Sequence, residues 1–190
     1  LLIDICIGTF SVVGGYSNEF KSIICMAAHS IKTVQKIPVS IDKAWEFFSN
    51  PANLQAITPE DMGFQVISKH HGYKMYAGQV IEYKVKPVLG IPLYWMTEIT
   101  HVEEGQRFVD EQRFGPYRLW HHQHHFREIP GGVEMTDIVH YKNPLGLLGK
   151  LANSLFVRRK LKNIFSYRFK KTEELFGQWP GGQQSDIEIN

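Results

Sequence analysis

Cysteine is nearly missing from this chain: of 190 residues, two are cysteine, Cys6 and Cys25, both in the first 25 positions. No CxxC occurs, and no Cys/His spacing suits a structural zinc site, so neither a disulfide scaffold nor a zinc finger is expected. The expectation is instead a reduced, cytoplasmic protein. Long apolar runs are also lacking; none reaches the roughly 18 uninterrupted residues of a membrane helix. The formal net charge of +2 is too small to argue for nucleic acid. No exposed strand carries a basic platform interleaved with aromatics, so no nucleic-acid partner is expected. GxSxG, phosphate-loop and HExxH motifs are all missing, and no cofactor is expected.

What remains is the composition of a globular protein, 43% hydrophobic and 21% charged. A length near this fits one domain with a core large enough to need no staples. Leu1 to Gly15 is apolar but is interrupted by Asp4 and preceded by no basic residue, which is unlike a secretory signal. The first methionine is Met26, and a strongly patterned region follows at once. Residues 1–30 are therefore expected to be an N-terminal extension, with 1–25 upstream of the natural start, residues 31–177 the domain, and 178–190 a polar tail.

Within the domain, Ile31 to Pro38 reads as a strand. Ser40 is a helix N-cap before Ile41, Ala44, Trp45 and Phe48, which recur at helical spacing. Asn50-Pro51 stops this helix and starts a second, ending at Ile57 before Thr58-Pro59. Six strands follow: Phe64–Lys69, Gly78–Lys86, Leu93–Val102, Arg107–Phe114, Arg118–Ile129 and Val133–Tyr141, separated by Gly- and Pro-bearing turns. Lys150 to Phe176 reads as one long helix ended by Gly177, about 40 Å in length. Its apolar positions, Leu155, Leu161, Phe165 and Leu175 among them, cover a broad arc. The order implies an α+β helix-grip fold: a seven-stranded antiparallel sheet curled around a long C-terminal helix, with two short helices after the first strand. A gap between such a sheet and its helix is a ligand cavity.

Several segments resemble the SRPBCC superfamily, which includes START domains, polyketide cyclases and the birch-pollen-allergen fold. They are Asn53-Leu54-Gln55-Ala56-Ile57-Thr58-Pro59, Phe108-Val109-Asp110-Glu111-Gln112, the W-x-H-x-H-x-F run from Trp120 to Phe126, and Ile164-Phe165-Ser166-Tyr167-Arg168. The resemblance spans about Ile31 to Gly177. It implies a binder or transporter of a hydrophobic small molecule or lipid, or alternatively a cyclase- or dehydratase-type enzyme.

Alternation of strand faces sorts the cavity wall. Trp120, His122, His124 and Phe126 share the face that carries the large aromatics and are placed inward. So are Phe108, Asp110, Gln112 and Phe114 on the preceding strand, and Val133, Met135, Asp137, Val139 and Tyr141 on the last. Trp95, Thr97 and Ile99 are placed inward on the Leu93–Val102 strand. Phe165 and Arg168 complete the expected ligand-binding set from the helix. His122, His124 and Asp137 are the candidate acid–base residues. An unpaired buried polar group costs about 1–3 kcal/mol. These side chains must therefore pair with one another, in a network that fixes the sheet register, or with a ligand. His122 and His124 are spaced to put two ligands on one metal, with Asp137 or Asp110 as a possible third. Satisfaction of the imidazoles by carboxylates is the simpler reading, so no metal is assigned. The apolar loops 87–92 and 144–149 are read as caps on the core ends, or as lips touching a membrane transiently during ligand transfer. The sequence carries no signal of oligomeric state.

Overall fold

The computed structural model describes residues 28–68, 74–86, 90–143, 156–182 and 186–190. The expected extension up to residue 27 and the 144–149 loop lie outside them. Of the 87–92 loop, Gly90 to Pro92 are described, with Ile91 exposed.

Strand β1 (His29–Ile37) leads into helix α1 (Ile41–Phe48) and two 3-10 segments, Pro51–Ile57 and Glu60–Met62. Then come β2 (Gln65–Val66), β3 (Val80–Val85), β4 (Leu93–Glu103), β5 (Arg107–Phe114), β6 (Leu119–Ile129) and β7 (Gly132–Lys142). Helix α2 (Arg158–Phe176) and strand β8 (Asp186–Ile189) close the chain. The sheet order is β2-β3-β4-β5-β6-β7-β1-β8, every pair antiparallel.

Local chemistry explains the entry segment. The Ser40 hydroxyl accepts from the Lys43 amide, and Asn50 caps the next segment by accepting from the Ala52 amide at 3.0 Å. The second expected helix forms as a 3-10 segment, with Pro51 in its first turn. Trp45 is thereby held against Phe108 and Phe126, edge to face, at centroid distances of 5.9 and 5.5 Å. At the β6–β7 turn, Gly131 has φ +90°. A side chain at Gly132 would put its Cβ 2.1 Å from the Ile37 carbonyl oxygen, so only glycine fits there.

Three expectations need correction. The sheet has eight strands. Asp186–Ile189, expected within a polar tail, pairs with β1 from Ile31↔Ile189 to Val34↔Asp186. Alternating Asp-Ile-Glu-Ile is a strand pattern that half-buries Ile187 and Ile189 while the acids face water. The apolar arc of α2 is also narrower than its composition suggests. Leu161, Phe165, Phe169 and Thr172 are buried, whereas Leu175 is exposed. Third, Phe114 faces solvent and meets Tyr94 at 6.0 Å. A bulge causes this: Met96 and Thr97 are opposed by Phe114 and Gln112, so one extra residue of β5 resets the alternation.

The interior divides in two. One apolar cluster gathers Ile37, Trp45, Ile81, Phe108, Phe126 and Met135. The other gathers Ile31, Val139, Tyr141, Leu161 and Phe165. Between them a polar belt crosses the inner sheet face: Thr33 and Gln35 on β1, Asp137 on β7, His122 and His124 on β6, and Asp110 on β5.

Candidate functional site

Register builds the belt. Asp137 stands opposite both Thr33 and His124, and Asp110 stands opposite His122. Side chains directly opposite on one face are near neighbours, so these pairings put two imidazoles between two carboxylates. The His122 and His124 rings lie 3.8 Å apart, centroid to centroid. Asp110 Oδ2 is 3.4 Å from His122 Nδ1 and 3.0 Å from His124 Nε2. Asp137 Oδ1 is 3.2 Å from His122 Nε2 and 2.7 Å from His124 Nδ1. The last contact is electrostatic, because the carboxylate oxygen lies off the N–H direction and His124 Nδ1 makes no hydrogen bond among the described residues. Thr33 Oγ1 donates to Asp137 Oδ2 at 3.4 Å, and Arg168 Nη1 lies 3.9 Å from the same oxygen.

Burial disfavours the charged form of every member, and the neighbours decide the outcome. For Asp137, burial pushes upward, but His124 and His122 outweigh it and hold the carboxyl well below its ordinary value. Asp110 is likewise lowered, burial being overcome by His122, His124 and Arg168. Burial pulls His124 down, yet Asp137 and Asp110 raise it on balance. His122 is lowered, by burial first and then by His124.

Above this cluster, between the sheet, α2 and the 3-10 segments, lies a cavity of about 190 Å³. Trp95, Phe108, Asp110, Trp120, His122, His124, Phe165 and Arg168 of the expected set line it. Four others do not. Asp137 sits directly behind the two histidines, Phe126 packs against Trp45, and Tyr141 is fully buried in the second cluster. Gln112, opposite the cavity residue Thr97, is not part of the lining because its side chain is engaged by the β5–β6 turn. Its amide donates to the Tyr117 carbonyl at 2.6 Å and accepts from the Tyr117 amide, closing the β5–β6 turn.

The sequence reading missed the walls contributed by Phe47, Phe48, Leu54, Ile57 and Met62 from the segments after β1. Strand parity says nothing about them; the Asn53–Pro59 resemblance was the one signal that marked this stretch. Arg168 stacks on Phe165 at 5.2 Å, and its Nε is buried without a hydrogen-bond partner among the described residues. At the rim, Lys160 of α2 pairs with Asp61 of the second 3-10 segment at 2.7 Å.

An antiparallel sheet wrapped on one long helix, with a cavity between, is the helix-grip class of fold. Solved structures share this fold. A START superfamily protein from Mycobacterium smegmatis superposes with a TM-score of 0.58 at 13% identity, over 77% of this chain and 99% of that one. A Thermus thermophilus protein, TTHA0849, gives 0.59 at 16% identity, over 76% and 94%. Ara h 8.0201 gives 0.52 at 14%, over 77% and 99%. No family model and no curated protein matches the sequence. Among the described residues, no helix is long and apolar enough to cross a membrane.

Proposed function

We propose that the protein binds a compact hydrophobic small molecule in the cavity between sheet and α2, with its polar end toward Asp110, His122, His124 and Arg168. One observation carries this reading. A cavity of about 190 Å³ is walled mainly by aromatic and aliphatic side chains, with Asp110, His122, His124 and Arg168 converging on it and Lys160 at its rim. Apolar walls with a few convergent polar groups are the usual make-up of a ligand site. Size narrows the class. An apolar cavity of about 150 Å³ takes benzene, and drug-sized ligands use about 300 Å³ or more. A molecule of one or two rings suits this volume better than a long acyl chain. The spare donor on Arg168 favours a ligand carrying an acceptor group.

The fold is used in this reading as a carrier or sensor in the cytoplasm, with any membrane contact transient. A second reading, a cyclase- or dehydratase-type enzyme with a cavity histidine as general acid–base, draws on the carboxylates beside both histidines. It is weaker, because both nitrogens of each ring already face a carboxylate oxygen.

The test uses native mass spectrometry of protein purified from its host, followed by titration with anilinonaphthalene sulfonate and the recovered compound. Trp95 and Trp120, 5.4 Å apart on the wall, report occupancy by fluorescence. Ile164→Trp, on the α2 wall and away from the polar belt, fills the space. Binding weakened at least tenfold in that variant supports the reading; unchanged binding by a folded variant defeats it.

A further inference from the structure

We propose that Asp110, His122 and His124 form a binding site for a divalent transition-metal ion of the zinc type at the polar end of the cavity, with Asp137 orienting the His122 imidazole. The proposal goes beyond ligand binding and does not depend on it. One donor atom from each of the three residues lies within 4.8 Å of the others. Asp110 Oδ2 is 3.4 Å from His122 Nδ1 and 3.0 Å from His124 Nε2. Donors about 2.0–2.1 Å from a tetrahedral ion stand about 3.3 Å from one another, so two of the three edges already fit.

Proton counting favours a cation in that corner. A neutral imidazole carries a single N–H. His122 Nε2 hydrogen-bonds Asp137 Oδ1, which leaves the Nδ1 of a neutral ring with a lone pair toward Asp110; His124 bonds Asp110 through Nε2, and with its one proton on the otherwise unpartnered Nδ1 that Nε2 also turns a lone pair to the carboxylate. Lone pairs facing a carboxylate repel unless a proton or a metal ion stands between them. A divalent ion there is met by two imidazole nitrogens and one carboxylate oxygen, the donor set that suits zinc, iron(II) or cobalt(II).

The surroundings match what such sites need. Metal-bound histidines commonly turn their other nitrogen to a carboxylate, which fixes the tautomer and ring orientation. Asp137 takes that place for His122, with Oδ1 also 2.7 Å from His124 Nδ1, and is itself held by Thr33 and faced by Arg168. His124 is further fixed by stacking on Phe108 at 4.0 Å. All three ligand residues line the cavity, so the remaining coordination position opens toward it. An enclosed pocket of this kind selects against calcium and magnesium, which prefer all-oxygen shells.

The experiment takes the full chain through a chelator, then measures zinc uptake by equilibrium dialysis against a competing chromogenic chelator, with cobalt(II) as a spectroscopic probe. One tight equivalent per chain is expected, with the intense visible absorption of low-symmetry, four- or five-coordinate cobalt. Asp110→Asn and His124→Gln should each weaken uptake at least tenfold. His121→Gln, which removes an imidazole paired with Glu111 on the opposite face, should not. Zinc-edge X-ray absorption on the wild-type adduct should show two imidazoles, a measurement that needs no variant to fold. No stoichiometric uptake would overturn the proposal. So would loss on His121→Gln with retention on Asp110→Asn, or a spectrum without two imidazoles. None of these results bears on uptake of an organic ligand.

Discussion

Strand β6 carries four histidines in five residues, and its two faces treat them in opposite ways. His122 and His124 point inward with side chains 6% and 9% exposed, each between two carboxylates. His121 and His125 point outward and are half-buried. There His121 meets Glu111 at 2.9 Å and His125 meets the Gln123 side chain at 2.9 Å. Residue type, strand and spacing are shared, so identity alone does not set the chemistry. Parity sends one pair under the helix. Register then puts Asp110 and Asp137 across from it, where low dielectric makes each contact matter.

The largest expected effect breaks the inner pair's support. Asp137→Asn removes one of the two carboxylate charges that face the histidines, the one beside Arg168, and leaves the buried positive charge only partly compensated. A loss of about 3–5 kcal/mol is expected in urea unfolding, as for one partner of a buried ion pair. Glu111→Gln, which removes the equivalent partner outside, should cost less than about 1 kcal/mol. Equal losses would mean the two faces do not differ. Acid should expose the same asymmetry. The folded Asp137 pKa lies well below the unfolded one, so its contribution is present above the unfolded value of about 3.9 and lost as pH falls through the folded value. Melting temperatures of wild type should therefore drop more steeply below about pH 4 than those of Asp137→Asn.

The comparison extends to α2. Phe165 is 2% exposed and Leu175 is 48% exposed, although both are apolar positions of one helix. Phe165→Ala should cost about 3 kcal/mol, the low end of its class, because the ring borders a cavity that already exists. Leu175→Ala should cost less than about 0.5 kcal/mol, read from the same denaturation curves.

Much of this was legible in advance, and the misses have physical causes. The inward set on β6 and β7 followed from alternation, since Trp120 and Phe126 bracket the histidines and no bulge interrupts either strand. On β5 the same rule failed for Phe114, because a bulge adds one residue between Gln112 and Phe114. Strand β8 was hidden by its length of four residues and its acidic character. Its pairing depends on an edge of β1 that no local pattern reveals. The cavity walls from α1 and the 3-10 segments depend on how those segments sit over the sheet, which is a tertiary fact.

Strand β8 gives the next smaller test. Ile187 and Ile189 are half-buried and pack with Ile31 and Val139 beneath the edge of the sheet. Replacing both by alanine should cost about 2 kcal/mol, roughly half of what two fully buried isoleucines would lose. A change under about 0.5 kcal/mol in thermal or urea unfolding would show that the strand adds pairing without adding to the core.

The smallest effect is also the sharpest on the two faces of β6. Burial and Arg107 lower the His125 pKa, while Asp137 and Asp110 raise that of His124 against burial. These directions carry opposite linkage. For His124, folding is favoured by the proton, so its contribution is full below the unfolded value of about 6.5 and fades as pH rises through the folded value. For His125 the unfolded chain binds the proton more readily, so acidification through about 6.5 works against the fold. The cost of His124→Gln should therefore grow between about pH 8 and pH 5, while the smaller cost of His125→Gln should shrink over the same window. Chemical denaturation of wild type and both variants at three pH values across that window measures the two slopes. Slopes of the same sign would mean that the adjacent histidines share one environment, and the division of β6 into a buried ionised face and a wet one would fail.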